Sequence, residues 1–147
     1  MSCGRLSPER VNILDVRTPE EYIFVGHPDM ARNIPLLFVK YELRSDKNEP
    51  AVELNPDFIS QVKGLFAPDD TLLVMCRSGG RSALACNMLA RDGFLSVHNI
   101  IDSLEGDKVD ELGSVHHGKR MRNGWKNYGL PWTYDLNPRL CWLTKNQ

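Results

Sequence analysis

The sequence feature that most constrains the fold is residues 71–94, TLLVMCRSGGRSALACNMLARDGF, where an apolar run leads through a short loop into a helical pattern. The run at 71–76 does not alternate apolar with polar side chains, which predicts a strand buried on both faces of a parallel sheet. Residues 81–92 predict a helix, and Gly93 occupies the position of a C-terminal cap. A strand, a tight loop and a helix in direct succession indicate an α/β fold.

Short apolar runs predict further strands at residues 11–16 (VNILDV), 31–36 (ARNIPL) and 96–102 (SVHNIID). Because strands and helices alternate along the chain, we expect a mostly parallel sheet flanked by helices. In such sheets the ligand site lies at the carboxyl ends of the strands, and Cys76 lies at one of those ends.

Two more helices are predicted in the first half of the chain. In TPEEYIFVG, Pro19 and the two acidic residues after it suit the first turn of a helix. In NPDFISQVKGLF, residues 55–66, Asn55 predicts an N-cap and Pro56 the first helical position, before apolar residues at helical spacing.

The length of 147 residues and the net charge of -1 predict a single globular domain spanning residues 1–147. This charge gives no reason to expect nucleic acid or an anionic membrane as a partner. No apolar run reaches the roughly 20 residues of a membrane-spanning helix, and the opening MSCGRLSPER lacks the apolar centre of a secretory signal, which predicts a cytoplasmic protein. The four cysteines are too widely spaced for a disulfide framework and are predicted to be reduced thiols: Cys3, Cys76, Cys86 and Cys141.

The surroundings of Cys76 favour a reactive thiolate. A free thiol has a pKa of about 8.5, so its anion needs help at neutral pH. Turn amides, the positive end of the following helix, and the side chains of Arg77 and Arg81 could all supply that help. Gly79 and Gly80 suit such a turn because glycine adopts positive φ without steric cost. Cys86, by contrast, is predicted to be a buried structural residue. Cys3 and Cys141 lie near the chain ends without neighbouring residues that suggest catalysis.

The loop CRSGGRS resembles the active-site loop of the rhodanese family of sulfurtransferases, which has the form CxxGxR followed by Ser or Thr. Two further segments, LDVRTPEEYIFVGH and NGWKNYGLPW, are similar to the amino-terminal and carboxyl-terminal signatures of that family. The resemblance covers residues 12–131 and leaves a C-terminal extension at 132–147, in which Trp142 and Leu143 predict packing against the body. The matching signature residues are Asp15, Arg17, Glu21, Tyr22, Gly26, His27, Gly124, Trp125, Gly129 and Pro131.

The resemblance implies a rhodanese-like α/β fold with a five-stranded, mostly parallel sheet and helices on both faces. It implies that Cys76 takes the outer sulfur of thiosulfate or a similar small anionic donor, releases sulfite, and passes the persulfide sulfur to cyanide or a thiol. No cofactor and no metal is required by this chemistry. The substrate-binding residues that it implies are Arg77, Ser78, Gly79, Gly80, Arg81 and Ser82.

The length of the loop distinguishes a sulfurtransferase from the related phosphatases. Their loop is one residue longer than the four residues between Cys76 and Arg81, because it must enclose a phosphate group. A phosphatase or arsenate-reductase-like enzyme is therefore disfavoured. A persulfide carrier or protein-binding module, with a protein sulfur acceptor as partner, stays open as the alternative.

The polar signature residues before the loop invite catalytic roles, but we expect them to be supporting scaffold, since buried polar groups usually bond to one another. These residues are Asp15, Arg17, Glu21 and His27. The adjacent His116 and His117 lack the spacing of a zinc site, so no metal is predicted.

The sequence departs from the family pattern in two places. Few residues precede the LDVR strand, so the first strand and helix of the family are expected to be shortened; if a leader was removed, a periplasmic location is the alternative. Residues 105–123 form an insertion after the strand at 96–102, and we expect it to border the Cys76 site. Its basic residues would then gate the donor or partner: Lys119, Arg120 and Arg122.

Overall fold

The computed structural model describes residues 12–144, which contain six strands and three helices. Cys3 lies outside the described residues. In chain order the elements are β1 (Asn12–Asp15), α1 (Pro19–Phe24), β2 (Ala31–Asn33), β3 (Leu37–Leu43), β4 (Pro50–Leu54), α2 (Phe58–Lys63), β5 (Thr71–Met75), α3 (Gly80–Arg91) and β6 (Ser96–Asn99).

Four parallel strands form the sheet that carries the Cys76 loop, in the order β2-β1-β5-β6. The α/β fold with a parallel sheet is thus confirmed. The parallel sheet described in residues 12–144 has no fifth strand, and the shortened first strand and helix that are expected before β1 fall outside these residues. Since β1 and β5 are neighbours, their carboxyl ends bring Asp15 and Met75 side by side, directly before the loops that follow.

The helices cover both faces of this sheet. Alternate strand residues point to opposite faces, and the core accordingly divides into two clusters. Leu14 and Val74 belong to the cluster that contains Val62 of α2 and Leu89 of α3, whereas Ile13 belongs to the cluster around Tyr22 of α1. The predicted helical layers on both faces are therefore present.

The segment from strand β5 to helix α3 matches its prediction to within one residue at each boundary. Asp92 is the C-cap of α3, and the next residue, Gly93, has φ +99°, a conformation that suits glycine. Strand β6 ends at Asn99, earlier than predicted, because Asp102 and Ser103 have φ of 63° and 51° and so leave the extended conformation.

The predicted start of α2 is wrong. Asp57, not Asn55, is its N-cap, and the helix begins at Phe58. The Asn55 side chain is buried and serves a turn instead: its Oδ1 accepts the Asp57 N–H at 3.0 Å, and its Nδ2 donates to the Pro35 carbonyl at 2.9 Å. Asn55 therefore fastens the chain before α2 to the loop between β2 and β3.

Strands β3 and β4 form an antiparallel hairpin that the sequence analysis did not predict. Its register pairs Val39 with Val52 and shifts before Leu43, and Tyr41 within the shift has φ 61°. The hairpin lies outside the parallel sheet, and its tip side chains Tyr41 and Leu43 are exposed.

Within residues 132–144 the C-terminal extension packs against the body, as predicted for Trp142, whereas Leu143 is 49% exposed and does not match its prediction. The Asn33 N–H donates to the Leu140 carbonyl at 2.8 Å, and Trp142 packs against the larger core cluster beside Phe38. No helix within residues 12–144 is both long and apolar enough to cross a membrane.

Candidate active site

Cys76 directly follows strand β5, and its side chain is almost wholly buried, with 1% exposure. Its Sγ accepts the Gly79 N–H at 3.1 Å and lies 3.4 Å from the Ser82 hydroxyl oxygen. The sulfur therefore lies in a turn whose polar hydrogens point inward, as the sequence analysis expected of a thiolate site.

Two opposing effects decide the pKa of the Cys76 thiol. Burial disfavours the anion and raises the pKa. The hydrogen bond from the Ser82 side chain, the amides of Ser82 and Gly79, and the charge of Arg81 lower it by more, so the pKa of Cys76 falls below its ordinary value. Cys86 has only burial acting on it, which raises its pKa. The lowered pKa of Cys76 therefore favours its thiolate, whereas the raised pKa of Cys86 favours its neutral thiol.

Gly79 makes the turn around Cys76 possible. Its φ of +122° is a backbone conformation that side-chain-bearing residues rarely adopt. Its carbonyl accepts an Asn99 Nδ2 hydrogen at 3.2 Å and lies 3.1 Å from the Ser82 hydroxyl oxygen. Gly80 is already the first residue of α3, so only the first of the two glycines supplies the positive φ.

Ser103 and Asn99, which were not predicted from the sequence, hold the loop from the end of β6 and the turn after it. The Cys76 N–H donates to Ser103 Oγ at 3.1 Å, and the Leu104 N–H donates to the Cys76 carbonyl at 3.1 Å. The Ser82 hydroxyl oxygen lies 2.5 Å from Asn99 Oδ1. The only signal in the sequence was their place at the carboxyl end of β6, next to β5, where parallel strands deliver their loops to one site.

Arg81 is held by Glu21 from the opposite side of the loop. Its Nη1 and Nη2 donate to the two carboxylate oxygens of Glu21 at 2.6 and 2.9 Å. Burial raises the pKa of Glu21, and the Arg81 hydrogen bonds and charge lower it by more, so the net pKa is below the ordinary value. Arg81 is therefore charged but already matched by one carboxylate.

Arg77 is placed differently from Arg81. Its side chain is exposed, while its carbonyl accepts the N–H groups of Glu105 and Gly106 at 2.9 and 3.0 Å. The start of the 105–123 insertion is thus bonded to the active-site loop, one residue after the cysteine.

The other polar signature residues make contacts among themselves and with the backbone. Arg17 Nη2 donates to Asp15 Oδ2 and to the Gly26 carbonyl, each at 2.7 Å, and the Asp15 and Arg17 side chains are fully buried. The two ring nitrogens of His27 lie 2.9 Å from the carbonyl oxygens of Tyr22 and Asp135. These bonds connect β1, α1 and the C-terminal extension behind the loop.

A cavity of about 490 Å³ lies between α1, the β3–β4 hairpin and the Cys76 loop, and we call it the hairpin cavity. Leu37, Val39, Pro50 and Val52 of the hairpin and Thr18 form its weakly polar lining. The cavity meets the Cys76 loop at Arg77 and Arg81, whereas Cys76 is not among its lining residues. Its charged lining residues are Glu20, Glu21, Glu49, Arg77, Arg81 and Lys108.

The insertion borders this cavity through Lys108 rather than through the three basic residues singled out from the sequence. Arg120 Nη1 donates to the Gly106 carbonyl at 2.8 Å, and Arg122 Nη1 lies 3.7 Å from Asp110 Oδ1. The Lys119 carbonyl accepts the Val109 N–H within the insertion. Across residues 12–144, no group of three or more His, Cys, Asp or Glu side chains is arranged to hold a metal ion.

Comparison with known families agrees with the fold and the loop. The model of the Rhodanese-like domain family matches residues 4–109. The chain therefore belongs to the rhodanese-like domain family.

Its relatives include proteins that match most of the chain and proteins that match only part of it. The Uncharacterized protein RP600 homolog of Rickettsia rickettsii is 29% identical over 129 residues, which are 88% of each chain. Thiosulfate sulfurtransferase 16, chloroplastic, of Arabidopsis thaliana is 39% identical over 88 residues, which are 60% of this chain and 66% of the relative. The crystal structure of Rv0390 from M. tuberculosis is similar with a TM-score of 0.65, at 26% identity over 86% of both chains.

Proposed function

We propose that this protein is a sulfurtransferase that moves sulfane sulfur from thiosulfate or a similar donor to a thiophilic acceptor, through a persulfide on Cys76. The observation that carries the proposal is the environment of Cys76 Sγ, which receives the Gly79 amide at 3.1 Å and lies 3.4 Å from Ser82 Oγ. The partial match to a thiosulfate sulfurtransferase supports the same chemistry.

The first step forms the persulfide. The Cys76 thiolate attacks the outer sulfur of thiosulfate, a new S–S bond forms, and the old S–S bond breaks with its electron pair leaving on sulfite. The Gly79 and Ser82 groups that bond to the cysteine sulfur stabilise negative charge in the turn. Arg77 is exposed beside the turn and meets the anionic donor, whereas the charge of Arg81 is matched by Glu21.

The second step returns the thiolate. An acceptor such as cyanide attacks the outer sulfur of the persulfide, and the electron pair of the breaking bond returns to Cys76 Sγ. No base is required for the first step, because the attacking Cys76 sulfur is already an anion. The second step needs none with cyanide, because cyanide itself attacks as an anion. The four-residue spacing between Cys76 and Arg81 favours sulfur over phosphate in the turn.

The test is thiosulfate:cyanide transfer combined with intact-mass measurement of the protein after thiosulfate alone. Wild type should gain the mass of one sulfur atom and release one equivalent of sulfite, and Cys76→Ser should do neither. Cys86→Ser is the matched control, since this second thiol on α3 should be dispensable. An unmodified wild type, or equal turnover by Cys76→Ser, would refute the proposal.

A further inference from the structure

Glu20 lines the hairpin cavity with a carboxylate whose charge is poorly compensated by the protein. Its Oε2 accepts the Tyr41 hydroxyl from the hairpin, while its Oε1 is buried out of reach of solvent and has no hydrogen-bond partner among the described residues. A partly desolvated carboxylate without a full set of donors is costly, so a cation that approaches Glu20 from the cavity would be stabilised.

The other carboxylates of the cavity are already engaged. Glu21 is bonded to Arg81 by both oxygens, and Glu49 lies 3.8 Å from Arg44. Glu20 is thus the cavity's carboxylate without a cationic partner among residues 12–144. This singles out one position for a positively charged group.

The same cavity offers positive charge at a different position. Arg77 and Lys108 both line it and both have exposed side chains. Within residues 12–144 neither of them forms an ion pair with a carboxylate, in contrast to Arg81. A carboxylate on the ligand would therefore find a cation here.

The cavity also has an apolar wall, which is formed by Leu37, Val39 and Val52. A cavity of about 490 Å³ suits a small molecule rather than a folded partner. The occupant that matches all three parts is short, carries an ammonium group and a carboxylate, and has an apolar stem. Thiosulfate offers negative charge to Arg77 and Lys108, but neither thiosulfate nor cyanide has an ammonium group or an apolar stem.

We propose that the hairpin cavity binds the head group of a small zwitterionic amino thiol, with Glu20 accepting from its ammonium group and Arg77 and Lys108 facing its carboxylate. This ligand would act as the sulfur acceptor, and that role rests on the proposed function of Cys76. The thiol sulfur attacks the outer sulfur of the Cys76 persulfide, forming the acceptor's S–S bond. The enzyme's S–S bond breaks with its electron pair on Cys76 Sγ, and the thiol proton stays with the product hydropersulfide.

Binding is measured first, on the resting protein, with ligands that cannot react. The probe is S-methyl-L-cysteine, which keeps the ammonium and carboxylate groups, and its comparison is 3-(methylthio)propionate, which lacks the ammonium group. By calorimetry or NMR titration, wild type should bind the first at least about tenfold more tightly. Glu20→Gln, which keeps the shape of the side chain and an acceptor for Tyr41, should remove most of that preference.

Glu53→Gln is the matched control, because Glu53 is exposed on β4, follows Val52 directly, and does not line the cavity. It should keep the wild-type preference. Equal binding of the two probes to wild type, or the same preference in Glu20→Gln as in Glu53→Gln, would overturn the inference whether or not Cys76 forms a persulfide.

The transfer step is measured second, by discharging the persulfide with L-cysteine or with 3-mercaptopropionate. The ratio of kcat/KM for these two thiols should favour L-cysteine in wild type and fall about tenfold or more in Glu20→Gln. A persulfide that forms normally but discharges with the same ratio in both proteins would contradict the inference and leave the proposed function standing. Failure to form any persulfide, with probe binding intact, would contradict the proposed function alone.

Discussion

Glu21 and Arg81 are 60 positions apart in the chain, yet they are joined by two hydrogen bonds at 2.6 and 2.9 Å, and each side chain is 22% exposed. Glu21 also completes the capping box of α1 with Thr18. One carboxylate thereby connects the N-terminus of α1 to the first turn of α3, and with it the position of the Cys76 loop.

We expect this pair to contribute measurable coupling. Glu21→Gln, Arg81→Gln and the double variant should give an interaction energy of about 1–3 kcal/mol in a double-mutant cycle of denaturant unfolding. The control is Arg44 with Asp46, which also has two hydrogen bonds, from Nε and Nη2 at 3.0 and 2.9 Å, but whose side chains are 40% and 59% exposed. Solvent screening should hold its coupling below about 1 kcal/mol. Equal coupling in the two pairs would contradict the role given to burial.

The second prediction concerns the titration of Cys76. Its pKa is lowered because the Ser82 and Gly79 hydrogen bonds and the charge of Arg81 outweigh burial. Thiolate should therefore form as the pH rises through a value below that of an ordinary thiol, and be lost as the pH falls through it. The measurement is the ultraviolet absorbance of the thiolate against pH, as the difference between wild type and Cys76→Ser.

Ser82→Ala removes one of the groups that favour the anion, so its titration curve should move to higher pH. Ser60→Ala is the control, since Ser60 lies on α2 and its hydroxyl bonds to the Asp57 carbonyl. A Ser82→Ala curve that overlays the wild-type curve would show that the hydroxyl does not stabilise the thiolate.

Local patterns were sufficient to predict the strand, loop and helix around Cys76. The apolar run ending at Met75 and the glycine after Asp92 are properties of adjacent residues, so the boundaries of β5 and α3 could be read from the chain. The hairpin carried a signal of the same kind, since Val39, Tyr41 and Leu43 alternate with charged residues. The hairpin could have been predicted, and with it one wall of the cavity.

The partners of the site residues could not be predicted in the same way. The resemblance to the rhodanese family implies that Arg81 binds the donor, but nothing near Arg81 in the chain indicates its bond to Glu21. Ser103 reaches the Cys76 amide only because β6 lies beside β5 and the chain then takes positive φ. Such contacts depend on strand order and on backbone turns, which a local pattern does not encode.

The third prediction concerns Gly124, which packs directly against the backbone that supports the loop. A Cβ at this position would lie 2.6 Å from the Glu105 carbonyl carbon and from the Gly106 nitrogen, and its φ is +99°. The amides of Glu105 and Gly106 donate to the Arg77 carbonyl, so a shift there reaches the active-site loop. Gly124→Ala should lower the free energy of unfolding by about 2–4 kcal/mol and reduce sulfur transfer.

Gly129→Ala separates the two causes of this loss. Gly129 has a φ of +79°, but a Cβ there would meet nothing within 4 Å. Gly129→Ala should lose only the cost of holding alanine at positive φ, about 1–2 kcal/mol of unfolding free energy, and should keep its activity. If both variants lose the same stability and neither loses activity, the close approach of Gly124 does not support the loop.

The fourth prediction concerns the buried charge pair behind the site. Asp15 and Arg17 are fully buried, and Arg17 bonds to Asp15 at 2.7 Å and to the Gly26 carbonyl. Asp15→Asn leaves the guanidinium charge buried without its carboxylate, so unfolding in denaturant should show a loss of about 3–5 kcal/mol. Asp46→Asn removes a carboxylate from the exposed guanidinium of Arg44 and should cost less than about 1 kcal/mol. The charge of Arg17 has no access to water, so the difference in lost unfolding free energy between the two variants measures the effect of burial. Equal losses would contradict a scaffold role for the pair.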